Sequence, residues 1–511
     1  MRPLLSLPRG LALAALSGVL MSLAFAPVAF GPSAIVSVAL LTTAVWGGSW
    51  RRGLGLGFVS GLLFFGLLLG WMRVIGWDAW LLLSAFWALW FALVGVGTAL
   101  VTRLPVAPVW VASMWVLQET LRAHLPFGGF PWGEIAFAQP DTPFARLAPI
   151  GGSPLVSFAV AFVGASIVTL VLDYRAGRRR WAATWFAAAV GITLLPALAP
   201  VTTTGDTEVG PASTVLAYVQ GGTPQVGMGA MDVRRAVLDN HVAQTLDLAQ
   251  AVADGEVPRP SFVLWPENSS DLDPFIDASA AEAISTAAKA VGAPILVGAV
   301  VNVPDDPTGI WNVGIVWDPV VGPQEMYIKT HPVPFGEYIP FRAFLAQHIA
   351  RFDRVPRDFL AGSRPGNLDI NGIPVGNVIC FEIAYRDVVD AVVDGGARLI
   401  TVQTNNATYG GTAQPEQQLA ISRLRAMEFG RSVVVAATSG ISAVIDPAGT
   451  VVERMDEDEV GWRVTDVALR GQTTLATKTA PAVQMLLCAA ALGAAATAMV
   501  QSVRRRRRPI A

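Results

Sequence analysis

The chain of 511 residues contains only two cysteines, Cys380 and Cys488. Cys380 directly follows an apolar run at residues 374–379 that is typical of a β-strand, whereas Cys488 lies in a long apolar stretch near the C-terminus. A thiol placed where a strand enters a loop can serve as a nucleophile once it is deprotonated. A buried cysteine that acts as a small apolar side chain is the alternative, and the residue alone leaves both interpretations open.

A nucleophilic thiol needs a base, and two residues are candidates. Glu267 follows the apolar run 262–265 and a proline, again where a strand is expected to end. Buried carboxylates have raised pKa values and can accept a proton near neutral pH. A solvated glutamate in a Pro-Glu turn is the alternative for Glu267. His331 is the second candidate base, because imidazole commonly activates thiols.

Lysine is far scarcer than arginine, since only Lys289, Lys329 and Lys478 are lysines among 36 basic residues. An ammonium is a compact charge whose pKa can shift, so arginine does not replace it in such a role. A cation near a thiolate lowers the pKa of the thiol and stabilises an oxyanion. This chemistry is expected of Lys329, whereas Lys289 and Lys478 are read as surface residues.

Composition indicates where these residues must work. Apolar residues make up 53% of the chain and charged residues 14%, against roughly 25% charged residues in an ordinary soluble protein. This argues against a purely cytosolic globular protein. The formal net charge of −2 argues against nucleic-acid binding, and two cysteines with four histidines show neither a disulfide framework nor a zinc motif.

The apolar residues concentrate in stretches of about 20 residues, the length that crosses a bilayer. Eight membrane spans are predicted, at residues 10–26, 33–50, 54–72, 79–101, 105–121, 153–172, 182–199 and 481–503. Residues 24–26 resemble a signal-peptide cleavage site, but Pro27 would hinder cleavage and a retained helix is expected. With the N-terminus inside, short cytoplasmic segments carry fourteen arginines against three outside, which places the block 212–470 on the extracytoplasmic side.

The block 212–470 alternates between strand-like and helical patterns, which predicts one α/β domain. The strands are expected at 214–219, 262–265, 294–300, 313–317, 375–380, 399–403, 432–437 and 442–445, and the helices at 232–252, 279–291, 388–394 and 414–430.

The order Glu267, Lys329, Cys380 resembles the Glu-Lys-Cys triad of the nitrilase (carbon–nitrogen hydrolase) superfamily. Together with the eight spans, it resembles the membrane-bound apolipoprotein N-acyltransferase family. Three further motifs agree: Gly-Phe-Pro-Trp at 129–132, Val-Pro-Phe-Gly-Glu-Tyr at 333–338, and Arg-Ala-Met-Glu-Phe-Gly-Arg at 425–431.

The resemblance implies a multi-span α-helical membrane protein with an extracytoplasmic nitrilase-like domain, an αββα sandwich. The implied domains are 1–200 with seven transmembrane helices, 212–470 as the catalytic domain, and 478–511 as the eighth transmembrane helix with a basic tail.

The implied reaction is acyl transfer in two steps. Cys380 attacks the ester of a phospholipid, Glu267 moves the proton, and Lys329 with backbone N–H groups near Phe381 stabilises the oxyanion. The thioester is then attacked by the α-amino group of a diacylglyceryl-cysteine at a lipoprotein N-terminus. Glu337 and Glu382 match positions that support the triad.

The resemblance implies no cofactor and no metal, a phospholipid donor, an apolipoprotein acceptor, no nucleic acid, and a monomer in the bacterial cytoplasmic membrane. A membrane-tethered amidase acting on a small substrate is the alternative function. A transporter or receptor is a third possibility, but the spans hold almost no ionisable residues.

Several positions depart from the family pattern. Gly222 and Asn406 replace an asparagine and an aspartate, Thr408 replaces an aromatic residue, and Met228 and Met231 lie where other members carry a tryptophan. Acyl-chain preference and lid geometry are therefore not predicted.

Overall fold

The computed structural model describes residues 3–198, 203–204, 212–224, 227, 235–304, 306–345, 347–349, 352 and 355–507. The chain divides into two compact units, one formed by Met1–Thr203 with Thr474–Ala511 and the other by Thr204–Thr473. Residues Met228 and Met231, Arg508 at the end of the basic tail, and most of the linker 202–206 lie outside the described residues.

The first unit is helical. Its helices are α1 (Leu7–Leu23), α2 (Ser33–Val45), α3 (Trp50–Leu68), α4 (Trp77–Val101), α5 (Ala107–His124), α6 (Ala148–Arg175), α7 (Arg179–Leu198) and α13 (Ala476–Arg507). Each apolar stretch predicted from the sequence overlaps one of them.

Within the described residues, four helical segments are long and apolar enough to cross a membrane: Trp50–Leu68, Trp77–Val101, Pro143–Arg175 and Ala476–Arg504. Leu7–Leu23 and Ser33–Val45 are shorter apolar helices. The helices fit a membrane protein, whereas the number of eight crossings stays a prediction.

Helices α3 and α4 meet backbone to backbone. A Cβ on Gly57 of α3 would lie 2.3 Å from the carbonyl oxygen of Phe91, and one on Gly95 of α4 would lie 2.1 Å from that of Gly53. Glycines four residues apart let membrane helices approach this closely, so dispersion contacts replace the hydrophobic effect that lipid cannot supply.

The second unit contains two large sheets in its described residues. The seven-stranded sheet has the order β14 (Gly461–Ala468), β2 (Ser213–Gln220), β3 (Val263–Leu264), β4 (Ile295–Val303), β5 (Asp306–Asp318), β6 (Gly322–Ile328), with β7 (Asp358–Phe359) paired to β5. The six-stranded sheet has the order β13 (Val451–Met455), β12 (Ser442–Ile445), β11 (Ser432–Ala437), β10 (Leu399–Thr404), β9 (Ile373–Ile379), β8 (Asn367–Ile370). The short strands β1 (Thr203–Thr204) and β15 (Thr473–Thr474) pair with each other.

The two sheets stack between helices, which is the four-layer αββα sandwich predicted above. Leu248 of α8 (Ala236–Ala253) and Ile284 of α9 (Ala278–Val291) share one apolar core with Val297 of the seven-stranded sheet. A second core joins the sheets, for example Leu264 with Val434. Helices α11 (Arg386–Asp394) and α12 (Gln414–Phe429) pack on the six-stranded sheet, and α10 (Arg342–Leu345) is a single turn.

A polar bridge also crosses between the sheets. Gln403 of β10 donates from Nε2 to the carbonyl oxygens of Trp265 (2.7 Å) and Leu296 (3.3 Å), and its Oε1 accepts from Asn377 Nδ2 (2.8 Å). Gly314 leaves space for this bridge, because a Cβ there would lie 2.4 Å from Asn377 Nδ2. Fully paired amides in a core cost little and fix geometry.

Strands β11 and β12 have the predicted bounds, and the other predicted strands and helices overlap observed ones. Strands β6, β13 and β14 were not predicted, because most of their residues are partly or fully exposed and lack a continuous apolar run. Edge strands commonly carry such polar patterns.

The glycine contact between α3 and α4 yields a matched pair of variants. Gly57→Ala places a methyl group against the Phe91 carbonyl, so the helices must separate, and we expect destabilisation by about 1–3 kcal/mol. Gly55→Ala on the same helix meets nothing within 4 Å and serves as the control. Thermal unfolding of the purified full chain in detergent measures both. A Gly57→Ala midpoint equal to that of Gly55→Ala would contradict the packing described.

Candidate active site

Cys380 lies at a sharp turn between β9 and a 3-10 helix, Cys380–Ala384. Its backbone φ is +53°, a left-handed conformation that a residue with a Cβ seldom adopts. Such strain is concentrated at functional sites, where it presents a side chain at the end of a strand. The thiol is partly buried and accepts a hydrogen bond from Thr404 Oγ1 at 3.3 Å.

Glu267 reaches the same place from the other sheet. It follows β3 and is 4% exposed. Its Oε1 accepts hydrogen bonds from Asn312 Nδ2 (2.7 Å) and Lys329 Nζ (3.3 Å), and its Oε2 accepts one from the backbone N–H of Asn405 (2.9 Å). The Cys380 thiol lies close enough to this carboxylate to affect its pKa. Glu267 is therefore a buried carboxylate and not the solvated turn residue of the alternative.

Lys329 directly follows β6 and is 1% exposed. Its ammonium lies 2.8 Å from Glu337 Oε1 and 3.3 Å from Glu267 Oε1. Asn312 Nδ2 also contacts Glu337 Oε1, at 3.1 Å. The cluster therefore places one buried cation between two carboxylates, with an amide bridging both acids.

The strand directions explain why these side chains meet. Strands β2, β3 and β4 are parallel, and β6 runs the same way because β4, β5 and β6 are successively antiparallel. The ends of β3 and β6 therefore lie at the same edge of the sheet. Crevices beyond the carboxyl ends of strands are common ligand sites in α/β proteins.

Burial and charge together set the protonation of the cluster. Burial raises the pKa of Glu267, opposed by the Lys329 ammonium and by hydrogen bonds. Burial alone would lower the pKa of Lys329, but Glu337 and Glu267 outweigh it and hold that pKa well above its usual value. Burial and the Glu267 carboxylate raise the pKa of the Cys380 thiol to about 12, against the effect of Lys329. At neutral pH the thiol thus keeps its proton until a base accepts it.

Glu382 joins the Cys380 turn to the chain around Lys329. Its fully buried carboxylate accepts hydrogen bonds from the backbone N–H groups of Thr330 (2.8 Å), His331 (3.0 Å) and Ile379 (2.8 Å). The hydroxyl of Tyr327 donates to it as well, at 2.9 Å. Glu337 contacts the Lys329 ammonium directly, whereas Glu382 holds the backbone on either side of the site. Phe381, between Cys380 and Glu382, packs edge to face on Tyr385 with ring centres 5.3 Å apart.

The sequence left His331 open as a second candidate base. In the part of the chain that the structure describes, its contacts are with groups other than the Cys380 thiol. Its Nδ1 hydrogen-bonds with Thr330 Oγ1 (3.1 Å), its Nε2 lies 3.8 Å from Asp387, and its ring packs at a tilt on Tyr385 with centroids 4.6 Å apart. The cysteine Cys488 belongs to α13 of the helical unit, where its thiol contacts Thr120 at 3.5 Å.

Four residues of the site were missed by sequence analysis: Asn312, Thr404, Asn405 and Gln418. Gln418 Nε2 donates to the Cys380 carbonyl oxygen (3.3 Å) and to Thr404 Oγ1 (3.0 Å). Asn312 and Thr404 are buried polar residues within strands, which is the signal that a search for buried polar groups would use.

Two departures from the family pattern have structural roles. Asn406 is buried and donates to Gln414 Oε1 (2.7 Å) and Gln418 Oε1 (2.9 Å), which places it behind the cysteine turn. Gly222 has φ +75°, and its N–H donates to the Thr438 carbonyl oxygen at 2.7 Å. Thr408 lies in the 3-10 turn Ala407–Tyr409 and is half-buried.

The motif at 425–431 contacts the 3-10 helix that begins at Cys380. Arg425 is buried, pairs with Glu428, and donates to the carbonyl oxygens of Ile383 (3.2 Å) and Ala384 (2.7 Å) at the end of the 3-10 helix. Among the described residues, no group of three or more histidine, cysteine or acidic side chains is arranged to hold a metal ion.

Comparison with solved structures yields low similarity scores. A mutant of the amidase from Nesterenkonia sp. AN1 is 17% identical with a TM-score of 0.38, covering 53% of this chain and 99% of that chain. Saccharomyces cerevisiae Nit3, a member of branch 10 of the nitrilase superfamily, is 16% identical with a TM-score of 0.38, covering 52% and 93%.

Sequence relatives are more informative. The model of the apolipoprotein N-acyltransferase N-terminal domain matches residues 17–166, and the carbon-nitrogen hydrolase model matches residues 229–476. An apolipoprotein N-acyltransferase of Vibrio cholerae is 27% identical, covering 90% of this chain and 92% of the relative. That of Mycolicibacterium smegmatis is 38% identical over 505 residues, covering 95% of this chain and 84% of the relative. The chain therefore belongs to the apolipoprotein N-acyltransferase family.

Proposed function

We propose that this enzyme transfers a fatty acyl group from a membrane phospholipid, through a thioester on Cys380, to the α-amino group of the N-terminal diacylglyceryl-cysteine of apolipoproteins. Family membership supports the acyl transfer. The observation that carries the assignment of residues is the buried contact of Lys329 with Glu267 beside the Cys380 thiol.

In the first half-reaction Glu267 accepts the thiol proton while Cys380 Sγ attacks the ester carbonyl carbon. The negative charge that develops on the carbonyl oxygen is stabilised by the Lys329 ammonium and by backbone N–H groups near Phe381. The ester C–O bond breaks, and the proton held by Glu267 passes to the departing lysophospholipid oxygen. A thioester remains on Cys380.

In the second half-reaction the α-amino group of the lipoprotein attacks the thioester carbonyl carbon. Glu267 accepts a proton from the amine, the C–S bond breaks, and the proton returns to the Cys380 sulfur. The product is an amide, and the enzyme is regenerated. This two-step exchange through a covalent intermediate is ping-pong catalysis.

The raised pKa of Glu267 suits both steps, because a carboxylate that holds a proton more readily is a better base for a thiol. Lys329 keeps its charge throughout, since its pKa is held well above the usual value. Glu337 shares that ammonium and thereby orients it, at 2.8 Å.

The membrane setting follows from the substrates, since the donor and the acceptor are both anchored in lipid. We place eight spans in the bacterial cytoplasmic membrane with the domain 212–470 on the extracytoplasmic side, and we expect a monomer that binds no nucleic acid. The arginine distribution supports this orientation. The domains are 1–200, 212–470 and 478–511.

The mechanism predicts a covalent acyl-enzyme on one cysteine. After incubation with phospholipid, intact-protein mass spectrometry should show an added fatty-acyl mass on the wild type and on Cys488→Ala, but none on Cys380→Ala. Glu267→Gln should slow its formation by about 10²–10⁴-fold, the range of general-base catalysis. N-acylated lipoprotein formed by Cys380→Ala would contradict the mechanism, and faster hydrolysis of soluble amides than acyl transfer would favour the amidase alternative.

Glu382→Gln tests whether the carboxylate positions the Lys329 segment. An amide NH2 would face backbone N–H donors, so we expect the rate of acyl-enzyme formation to fall by about 10²-fold as the geometry shifts. The KM for phospholipid should change little, because Glu382 lies behind the reacting groups. Asp387→Asn is the control, since Asp387 is an exposed acid nearby. Equal rates for the two variants would rule out the positioning role.

The orientation can be tested with single cysteines in a Cys380→Ala, Cys488→Ala background. Val320→Cys lies on an exposed hairpin tip of the second unit, and Ala176→Cys lies in the exposed turn between α6 and α7. In sealed right-side-out membrane vesicles, an impermeant thiol reagent should modify Val320→Cys and reach Ala176→Cys only after permeabilisation. The reverse pattern, or equal modification of both in sealed vesicles, would contradict the orientation.

A further inference from the structure

Helices α6 and α7 enclose an apolar groove of about 320 Å³. This volume is in the range of small-ligand pockets. Its floor contains the buried side chains of Val163, Ser166 and Trp185, and its open rim carries exposed apolar residues, including Ile167 and Phe186. The Ser166 hydroxyl lacks a hydrogen-bond partner among the described residues.

The groove runs along the helices for a distance that suits one leaflet. Its lining spans residues 163–170 on α6 and 185–194 on α7. At 1.5 Å per residue, these segments are about 11–14 Å long. Half of a hydrocarbon core of about 30 Å is about 15 Å.

The turn beyond one end of the groove is strongly basic. Arg175, Arg179 and Arg180 are exposed, and no described residue forms an ion pair with them. Arg178 pairs with Asp173, and this acid is also engaged by the Trp185 indole N–H at 3.0 Å. The turn therefore carries three uncompensated positive charges.

Aromatic residues indicate that this turn lies at the level of the lipid headgroups. The side chains of Tyr174 and Trp181 are 63% and 53% exposed. Tyrosine and tryptophan are enriched where membrane helices meet the headgroup layer. Leu170 lies five residues from Arg175, and Trp185 five from Arg180, so the groove begins about 7.5 Å below the arginines. Headgroup charge and acyl chain of one lipid would span this distance.

We propose that the α6–α7 hairpin binds one anionic phospholipid, with its phosphate on Arg175, Arg179 and Arg180 and one acyl chain in the groove. Basic clusters at the ends of membrane helices attract anionic headgroups, and the groove adds a place for the chain. The inference rests on the membrane placement of α6 and α7 and not on acyl transfer. In the proposed orientation this lipid lies in the cytoplasmic leaflet and is distinct from the acyl donor.

The test measures lipid binding to the full chain by native mass spectrometry in detergent. A Cys380→Ala background prevents consumption of the lipid. Phosphatidylglycerol should bind more tightly than phosphatidylcholine. The double variant Arg179→Gln/Arg180→Gln should weaken phosphatidylglycerol binding by roughly thirty-fold, at about 1 kcal/mol for each arginine near the surface. Ala189→Phe, which narrows the groove, should weaken it as well.

The control removes two other exposed arginines on the side assigned to the cytoplasm, Arg9→Gln/Arg51→Gln, which do not belong to the α6–α7 hairpin. Its affinity should stay within about two-fold of that of the parent protein. Equal losses of phosphatidylglycerol affinity in the two double variants would show a general electrostatic attraction to the basic surface and would overturn the proposed site. Equal binding of phosphatidylcholine and phosphatidylglycerol would do the same, as would unchanged binding by Ala189→Phe. Because no turnover is measured, failure here leaves the acyl-transfer proposal untouched.

Discussion

The candidate active site of the second unit depends on holding a buried ammonium between two carboxylates. Removing three charges from water is costly, and a buried ion cluster is stable only when further hydrogen bonds satisfy its atoms. Here Asn312 bridges both acids, the Asn405 N–H binds Glu267, and the Val333 N–H binds Glu337 at 2.7 Å. Asn312 lies within β5, Val333 lies in the loop after β6, and Asn405 follows β10 of the other sheet, so the cluster forms only when both sheets are in place.

The proposed nucleophile, Cys380, is held by a separate set of contacts. Glu382 ties the Cys380 turn to the segment after β6, Gln418 binds the Cys380 carbonyl from α12, and Arg425 binds the carbonyls at the far end of the 3-10 helix. A left-handed φ at Cys380 costs energy that such surroundings must offset. Family resemblance points to the motifs, and these contacts show how motifs that lie far apart in the chain come together in the structure.

Sequence analysis predicted the parts of the fold that are governed by burial. β11 and β12 are fully buried apolar runs, and their bounds were predicted directly, whereas exposed edge strands such as β13 gave no comparable pattern. In the site, Glu267 and Cys380 were found because each lies at the end of a predicted strand. Lys329 was found because lysine is rare in this chain, although the strand before it was not predicted. Asn312 and Asn405 were missed, because their importance arises from pairing between distant strands, which local patterns do not encode.

The bridge made by Gln403 has a mechanical consequence. Apolar sheet interfaces resist separation, but they allow small sliding movements because dispersion forces have little directionality. The Gln403 amide donates to the Trp265 carbonyl oxygen and accepts from Asn377, which lies on the strand that leads to Cys380. Such hydrogen bonds weaken steeply when their angles change. Gln403 therefore resists sliding of one sheet over the other. Sliding that would move Glu267 away from the Cys380 sulfur must first break the hydrogen bonds of Gln403.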